Sequence, residues 1–198
     1  MKKNPSFIYH HIKDSNNLDV VMHGVNKGID SQFIQKIVNE SYRNGNTVIA
    51  FNFEFYDRGE HSSSGVELEE ERKSLKSILE YCEYKKYKKV RLIGKSLGGI
   101  VIGRYLKELS LNSHEQFEVV IFGYDIGYID INDFKGRIRI VQGSKDKFGD
   151  INAVKEDLKG SISKLIEYIE IEGASHSYCN PENDEPIYED KAIQLGLQ

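Results

Sequence analysis

Lys89-Val90-Arg91-Leu92-Ile93-Gly94-Lys95-Ser96-Leu97-Gly98-Gly99 is a short apolar run that ends in a serine set between glycines, with a helical pattern directly behind it. The spacing Gly94-x-Ser96-x-Gly98 fits a nucleophile elbow, a sharp strand-to-helix turn that lifts a serine hydroxyl above a sheet. Side chains at the two flanking positions would crowd such a turn, which accounts for glycine there. The following helix would aim its first amides and positive dipole end at a developing oxyanion. Two other readings use the same letters. Gly94-Lys95-Ser96 matches the end of a phosphate-binding G-x-x-x-x-G-K-[ST] loop, but position 89 is Lys89 rather than glycine and the intervening residues are strand-like. The other is a plain strand-helix junction with Ser96 as a cap. The rest of the chain has to decide between them.

Working toward the N-terminus, Thr47–Phe51 is apolar throughout, as in a parallel strand covered on both faces. Leu18–Met22 reads as another buried strand, leading into the loop His23-Gly24-Val25-Asn26-Lys27-Gly28. Phe7–Ile12 reads as a strand near a sheet edge. Asp30 or Ser31 would cap a helix with Phe33, Ile34, Ile37 and Val38 on its apolar face. Residues 52–65 read as a polar loop. Ser64-Gly65-Val66-Glu67 has capping-box spacing and would open a helix carrying Leu68, Leu75, Ile78, Leu79 and Cys82 inward. Glu69-Glu70-Glu71-Arg72-Lys73 would be its solvated face, and Lys85–Lys89 would complement its C-terminal dipole.

Toward the C-terminus, Glu118–Phe122 and Ile138–Gln142 read as strands. Asp150 should cap a short helix with Val154 and Leu158 inward. Leu165–Ile171 alternates as a half-exposed last strand, and Pro186, Ile187, Ala192 and Ile193 suggest a closing helix. Strands alternating with helices imply a mostly parallel sheet with helices on both faces, formed by residues 1–198 as a single domain. Ligands of such sheets bind beyond the carboxyl ends of the strands. His23, Ser96, Asp125, Asp146 and His176 each follow an apolar run within a few residues, which favours the elbow over the plain junction.

A serine hydroxyl needs a base to take its proton, and the base needs a carboxylate to fix its tautomer. Ser96, Asp146 and His176 occur in the chain order serine, acid, histidine. Asp125 also ends a strand between Ser96 and His176 and competes for the acid role; Asp146 is preferred because its strand immediately precedes that of the histidine. The expected oxyanion donors are the amides of Leu97 and Val25, with Gly24 allowing close backbone approach. His23 may either brace its loop or, with Tyr124 and Asp125, border the substrate. Adjacent His10 and His11 would face opposite sides of a strand, and neither H-E-x-x-H nor C-x-x-C occurs, so no metal or cofactor is expected.

Composition narrows the classes. Hydrophobic residues are 39% and charged residues 29%, the net charge is −4, and there are two cysteines, Cys82 and Cys179. This suits a globular protein without a nucleic-acid surface. Two isolated thiols fit a reducing cytoplasm, no apolar run is long enough to span a bilayer, and no apolar signal follows Met1-Lys2-Lys3-Asn4-Pro5.

The segments Gly94–Gly99, Val141–Gly149 and Ile171–Ser177 resemble the three triad segments of small α/β-hydrolases. Phe51-Asn52-Phe53-Glu54-Phe55 is similar to the Phe-Asn-Phe-Pro-Tyr segment of the testis-expressed and KANL-type subgroup related to dienelactone hydrolases, with Glu54 in place of proline. The resemblance runs from about Asp19 to His176. It implies an α/β-hydrolase fold and a serine hydrolase; dienelactone hydrolases proper use cysteine where this chain has Ser96. The interval from Asp125 to Arg137 is too short for a helical cap domain. An open site of that kind suits a small-molecule ester or thioester with a short acyl group. A non-catalytic binding protein, and an acyltransferase or peptidase on the same scaffold, are the competing readings.

Overall fold

The computed structural model describes residues 5–110 and 115–198. The basic start Met1–Asn4 lies outside the described residues. Strand β1 (Phe7–His10) is followed by β2 (Asn17–Met22), α1 (Gln32–Arg43), β3 (Thr47–Phe51), the one-turn helix α2 (Glu54–Asp57) and α3 (Glu69–Tyr81). Then come β4 (Lys89–Lys95), α4 (Leu97–Lys107), β5 (Phe117–Phe122), β6 (Arg137–Gly143), α5 (Ile151–Asp157), β7 (Leu165–Ile171) and α6 (Glu189–Leu197). The sheet order is β1-β3-β2-β4-β5-β6-β7. Only β1 is antiparallel, pairing with β3 at the edge.

Alternation along each strand feeds two cores. Val20, Leu92, Val119 and Ile138 face α3, α4 and α5, whereas Val21, Ile93, Val120 and Val141 face α1 and α6. Every residue of β3 is buried, as its unbroken apolar run requires. Asp19 interrupts the pattern of β2 and is only 1% exposed. It accepts Arg91 Nε at 3.0 Å from the neighbouring strand and Asn46 Nδ2 at 3.1 Å, so its charge is paired in place.

Five local expectations need correction. Residues 52–65 are not loop throughout, because α2 forms inside them and buries Phe53 and Phe55 completely. Helix α3 starts at Glu69, not beside Ser64; Ser64 accepts Glu70 N–H at 3.3 Å and donates to Glu71, replacing the four-residue box with a longer one. Glu71 is therefore fully buried and does not belong to a solvated face. The lysines 85–89 do not end α3, which stops at Tyr81; they ride on a 3₁₀ turn, Tyr84–Lys86, and on the start of β4. Helix α6 begins three residues after Pro186, leaving Ile187 outside it and exposed. Asp150 caps α5 as expected, accepting the Asn152 and Ala153 amides. Among the described residues no helix is long and apolar enough to cross a membrane.

Candidate active site at the carboxyl edge of the sheet

Strand β4 passes into α4 through Ser96, whose φ of 50° and ψ of −112° lie outside the regions that L-residues favour. The turn is closed by Ser96 N–H donating to Phe122 O at 3.0 Å. A Cβ at Gly94 would stand 2.5 Å from Gly98 C and Gly99 N, and one at Gly98 would stand 2.7 Å from Met22 O. Both glycines are thus demanded by backbone crossing backbone. Gly24 is different: its added Cβ would meet Lys95 O at 3.6 Å and Ser96 Cβ at 3.7 Å, ordinary contacts, so the early loop approaches Ser96 without needing glycine there.

His176 sits in the loop after β7. Its Nδ1 lies 2.7 Å from Asp146 Oδ2, which follows β6. Asp146 Oδ1 accepts Phe148 N–H at 2.9 Å and Oδ2 also accepts Gln142 Nε2 at 3.0 Å. Gln142 is fully buried; its Oε1 accepts Tyr124 N–H at 2.7 Å, and its Nε2 reaches Gly149 O at 2.7 Å. This amide ties the ends of β5 and β6 together and fixes the carboxylate that fixes the imidazole. With Nδ1–H donating to Asp146, Nε2 carries the free lone pair.

Ser96 Oγ donates to Asp125 Oδ2 at 2.9 Å, and Asp125 Oδ1 stands 3.8 Å from His176 Nε2. The two candidate acids therefore occupy opposite edges of one imidazole. Asp146 holds the Nδ1 edge, while Asp125 lies between the Nε2 edge and the serine.

The amides of Leu97 and Val25 donate to no protein acceptor among the described residues. Leu97 opens α4, where first-turn amides have no partner within the helix. Val25 borders a cleft of about 330 Å³ together with Lys27, Phe33, Ser96, Phe148 and His176. The Phe148 ring packs edge-on against His176 with centroids 4.7 Å apart.

Of the residues named as bordering the substrate, His23 takes its other expected role, bracing the loop, and Tyr124 lies elsewhere. His23 is fully buried: Nδ1 lies 2.6 Å from Gly24 O, and Nε2 accepts Phe53 N–H at 2.9 Å. Acceptance at Nε2 puts the proton on Nδ1, so a neutral ring braces the loop that carries Val25, and burial pushes its pKa below the ordinary value. Tyr124 is also fully buried, its hydroxyl bonded to Ile129 O at 2.9 Å and Asp157 Oδ2 at 2.8 Å, away from the cleft. Cys179 is half-buried and absent from the cleft lining.

Sequence reasoning missed Gln142, Phe148 and Lys95. Gln142 had a usable signal, an amide directly after the apolar pair Ile140-Val141 at the end of β6. Lys95 was hidden inside the motif, its side chain directed to the α1/α6 side of the sheet, where Nζ stands 5.7 Å from the centre of the buried Tyr178 ring. Burial pulls the Lys95 pKa down to about 8 against the opposing pull of Asp146 and Asp125. Among the described residues no group of three or more His, Cys, Asp or Glu is arranged to hold a metal ion.

A family model described as "Alpha/beta hydrolase domain" matches residues 16–195. No curated protein matches the chain in sequence. Solved structures match over almost the whole chain. An α/β serine hydrolase homologue from Coxiella burnetii superposes with TM-score 0.75 at 15% identity, over 96% of this chain and 89% of that one. A lidless α/β serine hydrolase from Xanthomonas campestris gives 0.70 at 16% identity, over 100% and 95%. A monoacylglycerol lipase from Paleococcus ferrophilus gives 0.68 at 13% identity, over 98% and 99%. At these identities the likeness is one of fold.

Proposed function

The chain belongs to the alpha/beta hydrolase domain family, and we propose that it is a serine hydrolase cleaving a carboxylic ester or thioester of a short acyl group. The observation that carries the reading is the convergence on one cleft of Ser96, strained on its elbow, and His176, held at Nδ1 by Asp146 2.7 Å away. A substrate carbonyl seated beside Ser96 draws the hydroxyl from Asp125 to His176 Nε2 by rotation about the Ser96 side chain. His176 takes the proton as Oγ attacks, and Asp146 stabilises the imidazolium without taking the proton itself. The Leu97 and Val25 amides hold the oxyanion at the N-terminus of α4. His176 then gives its proton to the leaving group, and the same steps with water release the acyl group from Ser96.

Within this reading the cleft, open and walled by Val25, Phe33, Ile34 and Phe148, grips a short acyl chain on a small molecule. The reaction needs no cofactor, and free Cys82 and Cys179 suit a cytoplasmic setting. We place the chain near the testis-expressed and KANL-type subgroup. Position 54 is the first residue of α2, where proline is well suited and where a glutamate favours the helix dipole instead, so the exchange preserves the local fold.

The test is covalent labelling with a fluorophosphonate probe followed by an acyl-ester panel. The wild type should label and Ser96→Ala should not, and acetyl and butyryl esters should be cleaved faster than long-chain ones. A folded wild type that stays unlabelled would make the protein a binding module instead.

A further inference from the structure

Two buried polar atoms beside His176 have no hydrogen-bond partner: Lys95 Nζ and Asp125 Oδ1. They carry opposite charge, and both lie near the same ring. Asp125 Oδ1 stands 3.8 Å from His176 Nε2. Lys95 approaches the ring near its Cε1–Nδ1 edge, beside Gly123. A Cβ at Gly123 would fall 2.7 Å from Lys95 Nζ, 2.8 Å from His176 Cε1 and 3.0 Å from His176 Nδ1. The ammonium and the imidazole thus both border the space left bare by Gly123, whose φ is 69°.

We propose that Lys95 and Asp125 act as an opposed charge pair that sets the protonation range of His176, Asp125 favouring the imidazolium and Lys95 the neutral ring. This rests on the hydrolase reading, in which His176 must begin neutral and accept a proton. Asp146 alone would satisfy the orienting role. A second carboxylate at Nε2 stabilises the charged ring further and, unopposed, would hold the base in its protonated, useless form at neutral pH. Lys95 offsets that second charge. It does so without bonding to Asp146, whose oxygens are already occupied by Phe148, Gln142 and His176. The ammonium therefore acts on the ring through space and leaves the orienting bond intact.

The other charges around the ring are weaker influences. Lys27 and Lys147 lie in exposed positions along the cleft, where water screens them. Glu189 is tied to Lys36 at 3.1 Å. Burial raises the Cys179 thiol, keeping it neutral. The Tyr178 hydroxyl donates to Val141 O at 2.7 Å and is raised by burial as well. Lys95 itself stays largely protonated through the range in which a histidine titrates, since its pKa is about 8.

The experiment follows the His176 Cε1 proton by NMR across pH, with its resonance identified by loss in His176→Gln. Asp125→Asn should lower the His176 midpoint by about one unit or more, and Lys95→Met should raise it by a similar amount. The double variant should return near the wild type, and Lys95→Arg, which keeps the charge, should match it. The acid limb of kcat/KM on a short acyl ester should move with the same sign. Midpoints of both single variants within about 0.3 unit of the wild type, or moving in the same direction, would overturn the pairing. If Lys95→Met does not fold, an unmoved midpoint in Asp125→Asn overturns it alone. Because the NMR midpoint needs no turnover, an unlabelled wild type with shifting midpoints sinks only the hydrolase reading. A labelled wild type with fixed midpoints sinks only the charge pair.

Discussion

The Ser96 hydroxyl is bonded to Asp125, not to His176: Oγ donates to Asp125 Oδ2 at 2.9 Å while His176 turns its Nδ1 edge to Asp146. The serine therefore rests on a carboxylate, and in the proposed hydrolase a rotation of this one short side chain would carry it to His176. The two acids that the order of residues along the chain leaves in competition thus have different partners, Ser96 for Asp125 and His176 for Asp146.

Asp146→Asn should lower kcat at pH 8 on the order of a thousandfold or more with the fold retained, because an amide at Asp146 favours the wrong imidazole tautomer. Asp125→Asn at the same pH should keep kcat within about tenfold of the wild type, because Asp146 still orients the ring. Steady-state kinetics on a butyryl ester, with circular dichroism as the fold control, decides it. The reverse ranking would make Asp125 the orienting acid.

The glycines around the elbow should differ sharply in what they tolerate. Gly94→Ala and Gly98→Ala each force a Cβ against backbone at 2.5 and 2.7 Å, and each should lose at least about 2 kcal/mol of stability or fail to fold. Gly24→Ala places its Cβ in ordinary contact, 3.6 Å from Lys95 O, and should cost less than about 1 kcal/mol. Urea denaturation of the three variants is the measurement. Equal losses would mean that Gly24 is under a constraint the contacts do not explain.

His23 should give stability a pH dependence. Its folded pKa is held down by burial, so the folded state resists a proton that the unfolded chain accepts at about 6.5. The contribution is fully present above that pH and declines as the pH falls below it toward the folded value. In His23→Gln the melting temperature should fall less steeply between pH 7 and pH 5.5 than in the wild type. At pH 8 the variant should be weaker by about 1–3 kcal/mol, because Phe53 N–H loses its fixed acceptor. Parallel melting curves across pH would show that His23 is not the titrating group.

Strands and their order were readable because the physics behind them is local. Runs such as Thr47–Phe51 and Leu165–Ile171 match the observed strands residue for residue, since burial on both faces or on one leaves a plain pattern in the letters. The elbow was readable because Gly94 and Gly98 meet a steric demand that few sequences share. What escaped depended on partners far along the chain. Glu71 looked like part of an acidic surface until Ser64, seven residues earlier, folded over it. Tyr124 stands at the right strand end but turns inward, where a buried backbone group at Ile129 needs a partner, and the acceptor that His23 supplies to Phe53 N–H in bracing its loop lies thirty residues away. The pairing of Asp125 with Ser96 depends on the turn after β5, where the amides of Tyr128 and Ile129 fold back on Asp125 O; no spacing rule encodes it.

Phe33 belongs to two structures at once. Its ring stacks on Tyr178 at 5.2 Å and meets Phe122 edge-on at 5.4 Å within the core under α1, and it also forms part of the wall of the cleft beside Ser96. The space in the cleft is thus bounded by the same rings that hold helix to sheet. Widening the cleft at Phe33 would therefore cut into the packing that holds the fold, whereas Val25, Lys27 and Lys147 border the opening from exposed positions and can change without touching the interior.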